Sequence, residues 1–186
     1  PMQLPNNAMS ACRAALQMQK KADEIAARWE KEGKPKLSVR MGLNTDFMIV
    51  GNVGGSSRFD YTVIGDAVNT GSRMEGANKT YGTRIMVSER TWILVKDEML
   101  CRELDYLIVK GKTEPIRVFE LVGDLKNVIS DTTKEVVEIY NLGLMFYRER
   151  KFKKAIEEFQ FAGSRATTAA VIPFSPCRSR NEISLL

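Results

Sequence analysis

Apolar residues change their spacing twice along the chain and so divide it into three regions. Between residues 7 and 32 they recur every three to four positions, which predicts one long amphipathic helix ending at Gly33 and Pro35. From 37 to 121, short alternating stretches are interleaved with helical ones. Beyond 125 the helical spacing returns. We therefore predict an α/β (α+β) sandwich with a mainly antiparallel sheet and a C-terminal pair of helices.

The second region opens with two apolar runs, at 37–44 and 47–50. The polar residues 44–46 between them predict a hairpin or a tight reversal. A glycine cluster follows, at Gly51, Gly54 and Gly55, without the spacing of a phosphate-binding or dinucleotide-binding loop. We predict a flexible loop there.

A strand, a turn and a helix are predicted between Phe59 and Glu75. Thr62 and Ile64 alternate with two apolar residues along the strand, and Gly65 forms the turn. Asp66 is the expected N-cap of the helix.

Asn69 and Arg73 lie four residues apart on that helix and so on the same face. Together they supply hydrogen-bond donors that suit a polyphosphate, because a guanidinium matches phosphate oxygens in a fork. The alternative is an ordinary exposed face on which Arg73 pairs with Glu75 or Asp66.

Three further elements follow in the second region. Ser88 is predicted to cap a helix that buries Trp92, Ile93 and either Val95 or Leu94. Residues 104–108 and 116–121 alternate like an antiparallel pair of strands joined by the turn 111–115.

The third region has the spacing of a tetratricopeptide repeat, a pair of helices in which small residues allow close packing. The positions concerned are Ile139, Leu142, Gly143, Phe146, Ala155, Phe159 and Ala162. A single repeat cannot bury both its faces, so it must pack on the preceding domain, on further repeats or on a partner protein. Residues 163–186 lose the periodicity, and we expect them to be disordered.

Composition narrows the function. The chain has 186 residues, of which 44% are hydrophobic, enough for one ordinary core. No apolar run is long enough to span a membrane and no secretory signal is visible, which predicts a soluble, cytoplasmic chain whose parent protein has its anchor, if any, in preceding segments. The net charge is +5, but the segment 37–124 is nearly neutral, which argues against a nucleic-acid partner.

Histidine is absent, and the three cysteines, Cys12, Cys101 and Cys177, are far apart. This excludes a Cys/His zinc site and histidine-based proton transfer. Widely spaced thiols also predict a reducing compartment, and carboxylates would have to hold any metal.

Five blocks of residues resemble the catalytic domain of class III adenylate and guanylate cyclases, in the order and spacing of that family. They are VRMGLNT, VGNVGG, FDYTVIGDAVNTGSRMEGANKTYG, IMVSERT and VKGKTEPIRVFELVG, and the similarity covers roughly residues 8–123. The resemblance implies a ferredoxin-like sandwich, of which this chain has the C-terminal two thirds. It also implies that the domain ends near residue 124, followed by a repeat-like unit at 125–162 and a tail at 163–186.

The resemblance assigns roles to four residues. Asn69 and Arg73 match the transition-state asparagine and arginine, which orient the ribose and stabilise the α-phosphate. Lys110 matches the lysine that binds the terminal phosphates. Thr62 stands where the adenine is recognised, and a threonine there favours ATP over GTP, as in a bacterial subgroup of adenylate cyclases. The hairpin residue Asp46 replaces a glycine of the family, which raises the question of backbone strain.

The family uses two Mg²⁺ ions held by two aspartates that precede the first helix, so the resemblance places no metal ligand in this chain. Family sites lie between two protomers, which implies a homodimer. The expected reaction converts ATP to 3′,5′-cyclic AMP and pyrophosphate, with this chain inactive when alone. The alternative is a non-catalytic dimerisation or regulatory module whose repeat-like helices bind a partner protein; a repeat scaffold is a weaker third interpretation.

Overall fold

The computed structural model describes residues 4–55, 58–108 and 114–169. These residues form six strands and five helices. In chain order they are α1 (Asn7–Lys31), β1 (Met41–Leu43), β2 (Ile49–Gly55), β3 (Arg58–Ile64), α2 (Asp66–Tyr81), β4 (Ile85–Ser88), α3 (Glu89–Val95), β5 (Met99–Leu107), β6 (Ile116–Asp124), α4 (Asp131–Arg148) and α5 (Phe152–Ala169). The mixed α+β class predicted from the sequence is confirmed.

Four strands form one sheet in the order β1-β4-β6-β5, and β2 and β3 form a separate antiparallel pair. Within the four-stranded sheet, β1 runs parallel to β4 and the other neighbours are antiparallel. The predicted pairing of the strands at 104–108 and 116–121 is confirmed, with Leu107 opposite Ile116 as the last described pair.

Helices cover both faces of this sheet, in agreement with β4, whose four residues are all buried. On one face, α1 packs against the sheet through Met9 and Cys12, together with Phe119 of β6. On the other face, Met74 of α2 packs against Met86 and Val118. The sheet therefore fixes the position of α2, the helix that carries Asn69 and Arg73.

The predicted hairpin between residues 37–44 and 47–50 is wrong. The first strand is short and pairs with β4, whereas β2 leaves the sheet and pairs with β3 from Ile49 opposite Ile64. The glycine cluster, predicted as a flexible loop, lies within β2 and its hairpin. Strand pairing with β3 uses backbone groups only, so glycines are compatible with it.

Asp66 does not occupy the N-cap position predicted for it. Gly65 is the N-cap of α2, and Asp66 is the first helical residue, where a carboxylate interacts favourably with the helix dipole. The predicted cap of α3 is confirmed, since Ser88 accepts a hydrogen bond from the Thr91 amide over 3.5 Å. Val95 is the buried apolar residue of α3, while Ile93 is exposed because it lies on the outer face of this short helix.

Helices α4 and α5 form an antiparallel pair with the close approach that the small residues predict. A side-chain carbon on Gly143 would lie 2.9 Å from ring carbons of Phe159. Ala155 and Ala162 are buried between the helices, and the Tyr140 ring lies 5.3 Å from that of Phe159. The assignment to tetratricopeptide repeats stays a prediction.

The tail predicted at 163–186 is partly wrong. Helix α5 continues to Ala169 because Ala166 still packs as a buried residue. Residues 170–186, including Cys177, lie outside the described residues.

Burial raises the pKa of the Cys12 thiol to about 11 and that of Cys101 to about 12. Among the described helices, none has the length and apolarity that crossing a bilayer requires.

Candidate functional site

The strand that carries Thr62 belongs to an apolar hairpin, the name used below for residues 47–64. Thr62 lies opposite Gly51 in the β2–β3 pairing, and its side chain is exposed. Large apolar side chains around it are also exposed, with 93% of Phe47, 74% of Ile49 and 59% of Tyr61 accessible. An apolar surface of this kind is typical of a protein–protein contact.

Asp46 fixes the base of this hairpin. Its carboxylate accepts from the Phe47 amide over 2.9 Å and pairs with Arg90 of α3. Positive φ angles at non-glycine residues occur, among the described residues, at Asn6 and Arg150. The aspartate in place of the family glycine therefore does not strain the backbone.

Gly65 turns the chain from β3 into α2, as predicted. Its φ angle of 152° lies in a region that residues with a side chain rarely adopt. The turn sets the direction of α2 directly after the strand of Thr62.

Helix α2 has one buried and one exposed face. The buried face consists of Ala67, Thr70, Met74 and Asn78. Asn69 and Arg73 are both exposed and lie on the opposite side. The predicted pair of donors therefore shares one solvent-facing surface. Glu75, half-buried near its edge, pairs with Arg40 over 3.2 Å.

Backbone-to-backbone contact brings α2 unusually close to β1. A side-chain carbon on Gly42 would lie 2.1 Å from the carbonyl oxygen of Gly71 and 2.6 Å from the amide nitrogen of Glu75. No other residue fits at Gly42 without moving the helix. The contact determines how far Asn69 and Arg73 stand from the sheet.

Two asparagine side chains hydrogen-bond across this contact: Asn78 of α2 bonds to β1, and Asn44, directly after β1, bonds to α2. Asn44 donates to the carbonyl oxygen of Ala67 over 3.0 Å. Asn78, which is fully buried, donates to the carbonyl oxygen of Met41 over 3.0 Å and accepts from the Thr83 hydroxyl over 2.8 Å. Because they lie at two points along α2, these bonds fix the rotation of the helix about its axis as well as its distance from β1.

Sequence reasoning missed the roles of Gly42, Asn44 and Asn78. The sequence signal for Asn78 was its spacing, four residues after Met74 on the buried face of α2, where an asparagine needs a hydrogen-bond partner. Only the fold shows that the partners belong to β1.

Lys110, the fourth predicted site residue, lies outside the described residues. Of the predicted site residues, the structure thus brings Asn69 and Arg73 onto one face and places Thr62 on the preceding strand.

Acidic side chains do not assemble into a metal site in the part of the chain that the structure describes. No group of three or more Asp, Glu, Cys or His residues is close enough there to hold an ion. The described residues therefore do not fit a resident Mg²⁺ ion.

The family model described as "Adenylate and Guanylate cyclase catalytic domain" matches residues 1–146. Adenylate cyclase 1 of Rhizobium meliloti is 34% identical over 128 residues, which make up 69% of this chain and 19% of that relative. The chain therefore spans about a fifth of that relative's length.

Solved structures give the same match. The adenylyl cyclase CyaB from P. aeruginosa superposes with a TM-score of 0.60 and 32% identity, covering 70% of this chain and 64% of that one. The guanylyl cyclase Cya2 superposes with a TM-score of 0.57 and 26% identity, over 67% of this chain and 62% of that one.

Proposed function

The chain belongs to the family of adenylate and guanylate cyclase catalytic domains, and from this premise we propose that it carries one half of an adenylate cyclase site. The reaction is the conversion of ATP to 3′,5′-cyclic AMP and pyrophosphate. One observation supports this most directly: Asn69 and Arg73 share the exposed face of α2, while the opposite face is fixed to the sheet. A helix held so firmly suits residues that must meet a transition state.

Asn69 and Arg73 act on different parts of ATP in this proposal. The Asn69 amide orients the ribose so that its 3′-hydroxyl points at the α-phosphorus. The guanidinium of Arg73 donates to the oxygens of the α-phosphate, where negative charge increases as pyrophosphate leaves. Both groups are fixed donors and need no change of protonation, which agrees with the absence of histidine from the chain.

Thr62 recognises the base and Lys110 the terminal phosphates. A hydroxyl on the strand before α2 can accept a hydrogen bond from the adenine amino group. Lys110 supplies a positive charge from the connection between β5 and β6. ATP is thus the proposed substrate in preference to GTP.

We further propose a homodimer with sites shared between protomers. The apolar hairpin supports it, because its exposed Phe47, Ile49 and Tyr61 form a surface that a second protomer would cover. Two Mg²⁺ ions would neutralise the triphosphate in the assembled site. We propose that residues outside this chain supply their ligands, as the resemblance to the family implies, so the chain alone is expected to be inactive.

Complementation tests the proposed function. The chain is mixed with a related cyclase, such as CyaB from P. aeruginosa, whose residues aligned with Asn69 and Arg73 have been replaced. Formation of the mixed dimer is checked by pull-down, and cyclic AMP is measured. We expect activity well above that of either protein alone, and about a hundredfold loss with Asn69→Ala or Arg73→Ala in this chain.

Lys79→Ala is the matched control, because Lys79 is another exposed cation on α2. It should leave the complemented activity unchanged. A mixed dimer that forms but makes no cyclic AMP would refute the catalytic proposal. That outcome would favour the alternative, a non-catalytic dimerisation module, for which the apolar hairpin supplies the surface.

A further inference from the structure

We infer that Arg148, at the end of α4, is a positioning residue of the cyclase domain. It acts on the β5–β6 ribbon, the name used here for Met99–Leu107 and Ile116–Asp124. Through Arg148, the position of the helical pair α4–α5 affects the position of the ribbon and therefore the activity of the cyclase domain. The inference rests on the proposed function, since activity is the property that would be controlled.

Helix α4 covers the open edge of the sheet. Strand β5 is the last strand in the order β1-β4-β6-β5, so its outer backbone groups have no strand partner in that sheet. Asn141 of α4 is the hydrogen-bond partner of one of these backbone groups, because its side-chain oxygen accepts from the Glu103 amide over 3.3 Å. The helix therefore satisfies one backbone amide at the edge of β5.

Tyr140 makes a second link between α4 and the ribbon. Its ring lies 4.7 Å from the guanidinium carbon of Arg102, which is almost fully buried and pairs with Glu120 of β6 over 2.7 Å. Phe159 of α5 packs against the same ring. Burial raises the pKa of Glu120, although Arg102 opposes this, so the site depends on the cation remaining in place.

The third link is the Glu103 cluster, which consists of Glu103, Arg117 and Arg148. Both arginines donate to the Glu103 carboxylate, with Arg117 Nε at 2.6 Å from Oε1. Burial raises the pKa of Glu103, but the hydrogen bonds from Arg117 and Arg148 outweigh this and lower it overall. The cluster joins one residue from each of β5, β6 and α4 around a single buried charge.

Arg148 lies directly before the turn that joins α4 to α5. It is the last residue of α4, and its guanidinium also lies 5.0 Å from the Tyr106 ring. The tight turn that follows contains Arg150 with a φ of 60°, and the Lys151 amide donates back to Phe146 over 2.9 Å. The turn therefore couples the direction of α5 to the position of Arg148.

From the Glu103 cluster, contacts lead toward the proposed site. Tyr106 lies opposite Arg117, one pair before Leu107 and Ile116, and the connection after that pair contains Lys110. Arg117 also donates to Glu89 of α3 over 3.2 Å. The last described pairs of the ribbon, Tyr106–Arg117 and Leu107–Ile116, are thus held in position by the Glu103 cluster.

A role in global stability alone explains this arrangement less well. The Arg148 side chain is 35% exposed, and without it the buried Glu103 carboxylate still has Arg117 as a partner, so no buried charge is left unpaired. A change in catalysis on removing it would accordingly come from the position of the ribbon and not from unfolding.

The test uses the full chain in the complementation assay and compares Arg148→Gln, Arg148→Lys and Arg165→Gln. Arg165 is the matched control, because it pairs with Glu135 within α4–α5 and carries the same charge. We expect Arg148→Gln to raise the KM for ATP by about fivefold with kcat changed less than about twofold. Arg148→Lys should recover most of the wild-type KM, and Arg165→Gln should equal wild type. Equal KM values for Arg148→Gln and Arg165→Gln would overturn the inference.

Lys110→Gln separates this inference from the proposed function. If both single variants raise KM, the double variant should raise it no further than Lys110→Gln does, because Arg148 acts through the ribbon. If the KM increases of the two single variants instead multiply in the double variant, Arg148 does not act on Lys110 through the ribbon. If Lys110→Gln leaves KM unchanged, the phosphate-binding role of Lys110 fails, and a raised KM for Arg148→Gln still supports the positioning role.

Discussion

Asn78 of α2 donates from Nδ2 to the carbonyl oxygen of Met41 in β1 over 3.0 Å. The same amide accepts the Thr83 hydroxyl over 2.8 Å, and the residue is fully buried. One side chain thus joins the helix of Asn69 and Arg73 to the sheet and to the loop after the helix. Its loss should affect both folding and the proposed catalysis.

Asn78→Ala is expected to destabilise the chain by about 2–4 kcal/mol, because it removes the buried hydrogen bonds to the Met41 carbonyl and from the Thr83 hydroxyl and leaves a cavity where the amide was. Urea unfolding measures this. Asn127→Ala is the control, since Asn127 is an exposed asparagine and should lose less than about 0.5 kcal/mol. Equal losses for the two variants would mean that Asn78 does not hold α2 to β1.

Gly42 gives a second test of the same contact. Gly42→Ala should lower the free energy of unfolding by about 3 kcal/mol or more, because the new carbon would overlap the Gly71 carbonyl. Gly76→Ala on the exposed face of α2 meets no atom within 4 Å and should raise stability by about 0.5–1 kcal/mol. Urea midpoints compare the two variants, and an unchanged Gly42→Ala protein would show that α2 is free to move away from β1.

The contact between β1 and α2 also shows where sequence reasoning ends. Period-two and period-3.6 patterns predicted the α+β class, the β5–β6 pairing and the exposed pair on α2, because each depends on local spacing. The partners of Gly42 and Asn78 depend on which strand lies beneath the helix. The same holds for β1, whose pairing with β4 replaced a predicted hairpin, and for Glu103, whose two arginines are distant in sequence.

The apolar hairpin is expected to mediate dimerisation. Ile49→Lys should shift the chain from dimer to monomer in sedimentation velocity, because a charge would be buried in the contact. Ile93→Lys makes the same change at an exposed position on α3 and should leave the mass unchanged. If wild type is monomeric at concentrations up to about a hundred micromolar, the homodimer proposal is wrong for this chain.

Thr62 is expected to set the preference for ATP. Thr62→Val keeps the shape but removes the hydroxyl, so kcat/KM for ATP in the complemented dimer should fall about tenfold at most. The value for GTP should change less, and Thr62→Ser should behave like wild type. A Thr62→Val variant that keeps its full preference for ATP would remove Thr62 from base recognition.

Low pH should lower the free energy of unfolding through the contact between α1 and the end of β6. Arg13 donates to Asp124 over 2.8 Å and to Glu98 over 3.0 Å. The hydrogen bond from Arg13 is the main reason that the pKa of Asp124 lies below its ordinary value of 3.8, and Lys126 is the main reason that the pKa of Glu98 lies below 4.5. The unfolded state therefore binds protons at a higher pH than the folded state does.

A carboxylate with a lowered pKa stabilises the fold above its ordinary pKa, and this contribution disappears as the pH falls through the folded value. The free energy of unfolding should thus begin to fall near pH 4.5 and continue to fall below 3.8, the ordinary values of the two groups. Arg13→Gln should flatten this dependence, whereas Arg28→Gln, the same change at an exposed position on α1, should leave it intact. Urea unfolding between pH 3 and pH 6 measures the slopes. Equal slopes for the two variants would mean that Arg13 does not hold the two carboxylates in the folded state.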